Sequence, residues 1–172
     1  MSLEKKCFVM SPIGPPGSEI RHRSDELFTH LSRPAVSAVG FEAVRADHID
    51  EQGRITDQIL AHIFGCPLAI ADLTGVNPNV MYELALRHAC QLPVWQVVSD
   101  DTHLPFDVSD IRTIKFDRRE INEYARALSE LTQLLRAFVN GTARYQSPVP
   151  SAASHSLGLS EQQTLNLYKL HQ

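Results

Sequence analysis

The stretch "ADLTGVNPNVMYEL", residues 71–84, sets Asp72, Asn77, Asn79, Tyr82 and Glu83 around the junction of an apolar run and a helical pattern. A carboxylate one or two turns into a helix, on the face that looks back toward strand ends, is a solvated charge or a catalyst. The positive N-terminal end of a helix favours the ionised form, so Glu83 is expected to be a carboxylate at neutral pH. An ionised glutamate without a paired acid suits a nucleophile, or an electrostatic partner for a developing cation, better than a proton donor. Asp72 closes a buried run, where a carboxylate needs the amides of the following loop or a ligand hydroxyl; capping those amides is at least as good a role as ligand contact.

Two further loops carry reactive types. "SPIGPPGSEIRHRSD" follows the first apolar run: Ser11, Pro12, Ile13 and Gly14 let backbone amides approach a ligand, and Arg21 and Arg23 stand near enough to meet an anionic group. It lacks the G-K-[ST] of a Walker loop and the G-x-G-x-x-G of a dinucleotide site, so a plain strand-to-helix turn competes evenly with a phosphate- or ribose-binding loop. "ADHIDEQGRITDQ" brings Asp47, His48, Asp50 and Glu51 together, a solvated turn or a histidine proton shuttle. Asp57 lies beyond it on a helix, off the face marked by Ile55, Ile59 and Ile63.

The elements that must position these residues alternate between short apolar runs and longer helical stripes, the pattern of a parallel α/β sheet. Strands are expected at 6–11, 41–46, 67–73, 93–99 and 111–116; runs such as "LAIA" and "VWQVV" suit strands covered on both faces. Ser24, followed by Asp25 and Glu26, is expected to start the first helix, with Leu27, Leu31, Val36 and Val39 as its core stripe and a kink at Pro34. Asn77 as N-cap with Pro78 behind it opens the third helix. Ile121, Tyr124, Leu128, Leu131, Leu135 and Phe138 mark the last, from Glu120 to about Val139. Right-handed crossovers then give a flavodoxin-like, doubly wound five-stranded sheet of order 2-1-3-4-5 with helices on both faces, whose switch point lies between the first and third strands. Ser11–Gly17, 47–50 and Asp72–Glu83 all reach that edge.

Bulk properties narrow the classes. The 172 residues, 43% apolar and 21% charged, suit one α/β domain over 1–142 and a Ser/Pro-rich linker with a short helix over 143–172. The net charge of −4 argues against general nucleic-acid binding. No membrane span and no signal-peptide layout are present, so a cytoplasmic protein is expected. Three cysteines, Cys7, Cys66 and Cys90, read as buried hydrophobes, and the eight histidines have no ligand spacing, so no metal is expected. "YQSPVPSAASHSLG" reads as a linker or an arm lying on another surface, and "LSEQQTLNLYKLHQ" holds a capping pair, Ser160 and Gln163, with Leu165 and Tyr168 as anchors. A chain ending on such a pattern suits a piece of a longer protein.

"CFVMSPIG" followed by "GRITDQILAHIFGCPLAIADLTGVNPNVMYELALRHA" resembles the nucleoside 2-deoxyribosyltransferase superfamily, with its deoxynucleoside-monophosphate N-glycosidases and related TIR-like NAD-cleaving domains. The resemblance covers residues 5–141 and is most specific over "ADLTGVNPNVMYELALRHA". It implies that Glu83 attacks the anomeric carbon of a ribosyl or deoxyribosyl group, that Asp57 assists the departing base, and that Ser11–Gly14 line the pocket. It further implies a nucleoside, a nucleotide or NAD as substrate, no cofactor, and a homodimer or larger homo-oligomer. The pattern departs in three places: Phe8 and Met10 stand where many members carry a hydroxyl-bearing aromatic, Tyr82 points about 100° away from Glu83 around the helix, and Ala85 replaces a glycine. Two other readings remain open. One is a non-catalytic TIR-like nucleotide-sensing or assembly module; the other is an inactive scaffold in which Glu83 pairs with Arg87.

Overall fold

A computed structural model describes residues 3–49, 55–99 and 102–149. Five strands, β1 (Lys6–Met10), β2 (Glu42–Arg45), β3 (Leu68–Asp72), β4 (Trp95–Ser99) and β5 (Thr113–Phe116), form one all-parallel sheet in the order β2-β1-β3-β4-β5. This is the flavodoxin-like α/β fold the alternation predicts. Each strand is shorter than its apolar run, because pairing ends where the chain turns. The asymmetry of burial follows from sheet position: β3, at the centre, is buried at every residue, whereas Glu42 on the edge strand is exposed.

Two cores flank the sheet. On one face Cys7, Ile70, Val97 and Ile114 meet Leu27, Leu31 and Val36, and also Leu131 and Leu135 of α6 (Ile121–Val139). On the other, Phe8, Met10, Ala69, Ala71 and Val98 meet Ile63, Val80 and Leu84. The alternation of β1 thus sends Phe8 and Met10 toward α3 (Ile55–Gly65) and α4 (Pro78–Ala89), and Cys7 to the opposite side.

Three helical expectations are corrected. α1 (Glu19–Leu27) starts five residues before Ser24, because Ser18 is the N-cap and its Oγ accepts from Arg21 N at 3.2 Å; Ser24 is buried and donates to the Pro12 carbonyl instead. In place of a simple kink at Pro34, a π-helical turn, Phe28–Ser32, precedes α2 (Arg33–Ser37); the Arg33 amide reaches back to the Phe28 carbonyl, which accommodates a proline that cannot donate. Ile55 does not join a buried stripe: it is 72% exposed, and only the C-terminal half of α3, with His62 and Ile63, is buried. A short helix, α5 (Phe106–Ser109), was not anticipated. Asn77 caps α4 as expected, accepting from Asn79 N at 2.9 Å and Val80 N at 3.4 Å. Cys7 and Cys66 are buried free thiols and Cys90 is half-buried.

Residues 143–149 lie back on the domain. Tyr145 packs near Trp95 with ring centroids 6.4 Å apart, and Ser147 Oγ donates to the His88 carbonyl at 2.6 Å. Asp50, Glu51, the side chain of Ile121 and the segment with Ser160, Gln163, Leu165 and Tyr168 lie outside the described residues.

Arg87 fastens α4 to the body. It is fully buried, and its Nη1 donates to the Ile63 and Cys66 carbonyls at 2.8 Å each, while Nη2 donates to Pro93 O. The expected pairing of this guanidinium with Glu83 is therefore corrected: both η nitrogens are taken by main-chain carbonyls at the end of α3 and before β4. Burial lowers its pKa to about 10, still above neutral, so the charge is kept. Arg87→Met removes these donors and is expected to destabilise by about 3 kcal/mol, with Arg87→Lys recovering part, as measured by urea unfolding.

Candidate functional site

Because the strands are parallel, the loops after β1, β2 and β3 all leave the same end of the sheet. Asp72, the last residue of β3, is fully buried; its Oδ1 accepts the Thr74 amide at 3.0 Å and its Oδ2 accepts from Ser11 Oγ at 3.3 Å. Ser11, in the β1 loop, is thus tied to the loop after β3 across the switch point. Burial raises the Asp72 pKa, opposed by the hydrogen bonds from Thr74. The chain of contacts continues through Thr74 Oγ1, which accepts from the Ser99 amide at 2.9 Å. Thr102 Oγ1 in turn accepts from Gly75 N at 3.2 Å. Asp72 therefore performs the loop-capping role, with Ser11 as an added partner.

The turn between Asp72 and α4 is strained. Gly75 and Val76 have φ of +73° and +49°. A β-branched residue in the left-handed region is costly and persists only where its surroundings enforce it. Arg23 lies against this turn: its Nη2 donates to the Thr74 carbonyl at 3.1 Å, and its buried Nε has no hydrogen-bond partner among the described residues. Gly14 is required by close approach, since a Cβ there would sit 2.4 Å from Ser18 Oγ and 2.9 Å from Ile20 Cβ. Pro12 is buried with its carbonyl bonded to Ser24, and Ile13 is 42% exposed.

At the end of β2 the charges neutralise one another. Arg45, 2% exposed, reaches Asp47 at 2.6 Å and Asp25 at 2.5 Å; Arg21 reaches the same two acids at 2.6 and 3.4 Å. For Asp25 the hydrogen bond from Arg45 lowers the pKa, and for Asp47 the Arg45 contacts outweigh the opposing effect of burial. His48 Nε2 lies 3.8 Å from Asp47 Oδ2, and the ring stands edge-on to Phe28. Arg21 and Asp47, read from sequence as ligand-facing, are joined to each other. Arg45 and Asp25 were missed. The signal was a lone arginine inside "FEAVRA", two residues before Asp47.

Glu83 sits midway along α4, beside the core stripe of Val80, Leu84 and Arg87. It is half-buried, and burial alone pushes its pKa up to about 7. The expectation of a carboxylate ionised at neutral pH gives way to a group with its pKa raised to about 7: the residue lies more than a turn inside the helix, where the terminal dipole has faded and desolvation dominates. Among the described residues no hydrogen bond or ion pair is found for its side chain. Tyr82 is 64% exposed, Asn79 is exposed with its amide on Asn77, and Asp57 is exposed on α3. Phe8 and Met10 are buried in the core below α4, so β1 supplies no hydroxyl.

Among the described residues no group of histidine, cysteine and carboxylate side chains suits a metal ion, and no helix is long and apolar enough to cross a membrane. Comparison with family models and with curated proteins finds no match. Among solved structures the chain is similar to the constitutive lysine decarboxylase of E. coli, at a TM-score of 0.46 and 15% identity, over 88% of this chain and 19% of that one. That likeness carries no argument about activity.

Glu83 holds its proton more tightly in the fold, at about 7, than at the ordinary value of 4.5, so it favours the folded state at low pH. The contribution is lost as pH rises from the lower value through about 7. Glu83→Gln, neutral throughout, is therefore expected to be more stable than the parent by about 2 kcal/mol near pH 8 and by much less near pH 5. Urea unfolding at the two pH values measures the difference.

Proposed function

We propose that the protein cleaves the N-glycosidic bond of a nucleoside, a nucleotide or NAD, by hydrolysis or by transfer to a second base, with Glu83 as the nucleophile. The observation that carries this reading is a half-buried glutamate without a polar partner among the described residues, desolvated to a pKa of about 7, on a helix that begins at the switch-point loop. A carboxylate stripped of water is a stronger nucleophile and a stronger stabiliser of an oxocarbenium-like state than a hydrated one. Positive charge developing on the sugar favours the ionised form of Glu83, which gives its proton to solvent before it attacks. Asp57, on the helix beside α4, assists the leaving base, and Ser11, Pro12, Ile13, Gly14, Asn79 and Tyr82 border the substrate, with Asp72 behind them holding Ser11 and the Thr74 amide. Of the two arginines, Arg23 is the better placed to meet an anionic group, since Arg21 is neutralised by Asp47 and Asp25. In this reading NAD is a substrate rather than a cofactor, and the protein works in the cytoplasm as a homodimer or larger assembly.

Incubation with a panel of deoxynucleosides, nucleotides and NAD, with free base read by chromatography, is expected to give base release with at least one member. Turnover should rise with pH through about 7 as the nucleophile ionises, and Glu83→Gln should lower it about 10²-fold or more while the fold is kept. Unchanged turnover in that variant removes Glu83 from the mechanism. No base release from any member, together with nucleotide-induced oligomerisation, favours the sensing or assembly module instead.

A further inference from the structure

At the opposite end of the sheet, where β4 and β5 begin, a cavity of about 560 Å³ opens between the sheet, α6 and residues 143–148. Its volume falls within the range of small-molecule sites. Three aromatic rings line it: Trp95 stands edge-on to Phe138 with centroids 5.4 Å apart, and Tyr145 closes over Trp95 from the returning chain. Ser147, bonded to the His88 carbonyl, holds that chain in place as a wall.

Two polar features set this cavity apart from an ordinary apolar groove. Gln96, on its wall, is 1% exposed; its Oε1 accepts from Thr113 Oγ1 at 2.9 Å, and its Nε2 has no hydrogen-bond partner among the described residues. A buried amide donor left unpaired costs free energy that an acceptor on a ligand recovers. At the rim, Arg144 is exposed with no ion pair found among the described residues, and Arg112 bonds to Glu130 at 3.4 Å; Asp110 also stands at the rim. Aromatic walls favour a flat ring, the amide favours an acceptor, and the unpaired cation favours an anionic substituent.

We propose that this cavity is a second binding site, for a planar aromatic acid bearing a hydrogen-bond acceptor, held between the sheet end and residues 143–148. The proposal is independent of Glu83, which does not line this cavity. A ligand here bridges the sheet end and residues 143–148.

Trp95 is the single tryptophan of the chain and lies in the cavity wall, so its fluorescence reports occupancy directly. Titration of the full chain with 4-nitrobenzoate, a flat aryl carboxylate whose nitro group accepts hydrogen bonds, is expected to give saturable quenching, with a dissociation constant on the order of 100 μM confirmed by calorimetry. Cyclohexanecarboxylate, equal in charge but not planar, should bind at least about tenfold more weakly. Arg144→Ala, at an exposed position that leaves folding intact, should weaken 4-nitrobenzoate about fivefold, and Gln96→Leu by a similar factor. Absence of saturable binding up to the solubility limit overturns the proposal, as does equal binding of the two acids. So does affinity unchanged in both variants.

Discussion

A buried arginine that bonds to main-chain carbonyls instead of a carboxylate holds one corner of this fold together. Arg87 joins α4 to the last turn of α3 and to the residue before the run into β4, three segments distant in sequence. A guanidinium is suited to this because its fan of donors reaches several acceptors at once, and the carbonyls at a helix end are short of donors. With the helix fixed this way, the residue one turn earlier, Glu83, has no freedom to swing toward a cation. Its carboxyl group stays beside the core stripe, half out of water, and burial sets its proton affinity.

The loops around it obey the same economy of charge. Among the described residues, three acids at this end of the sheet have donors: Asp72 the Thr74 amide and Ser11, Asp25 and Asp47 the pair of arginines. These contacts tie β1, β2 and β3 to one another at the switch point, whereas Glu83 is half-buried with no hydrogen bond or ion pair found for its side chain among the described residues. The strained Val76 marks the same corner, where the turn is bent to deliver α4 at the required angle.

Sheet order, strand number and the Asn77–Pro78 helix start were legible because each rests on a local or topological rule: continuous apolar runs, a capping side chain with a proline, and right-handed crossovers. Asp72 was legible in part, since an acid two residues before Thr74 has an amide within reach whatever else surrounds it. Ser24 misled because a serine ahead of two acids carries the same local signature as Ser18, and only tertiary burial decides that Ser24 donates to Pro12. Ile55 misled for a related reason: helical spacing names a face without saying how far along the helix the neighbouring core extends. The ionisation of Glu83 and the partners of Arg87 were not legible at all. An i, i+4 acid–base pair looks like a surface bridge in sequence, and here the base is drawn into the core by carbonyls twenty or more residues away in the chain for α3 and six for Pro93.

The proton affinity of one side chain carries the functional reading most directly. Titration of the Glu83 side-chain carboxyl carbon by ¹³C NMR, assigned by comparison with Glu83→Gln, should give a midpoint near 7, as burial requires. A midpoint at the ordinary value of 4.5 means a hydrated carboxylate on an open helix face, and contradicts it.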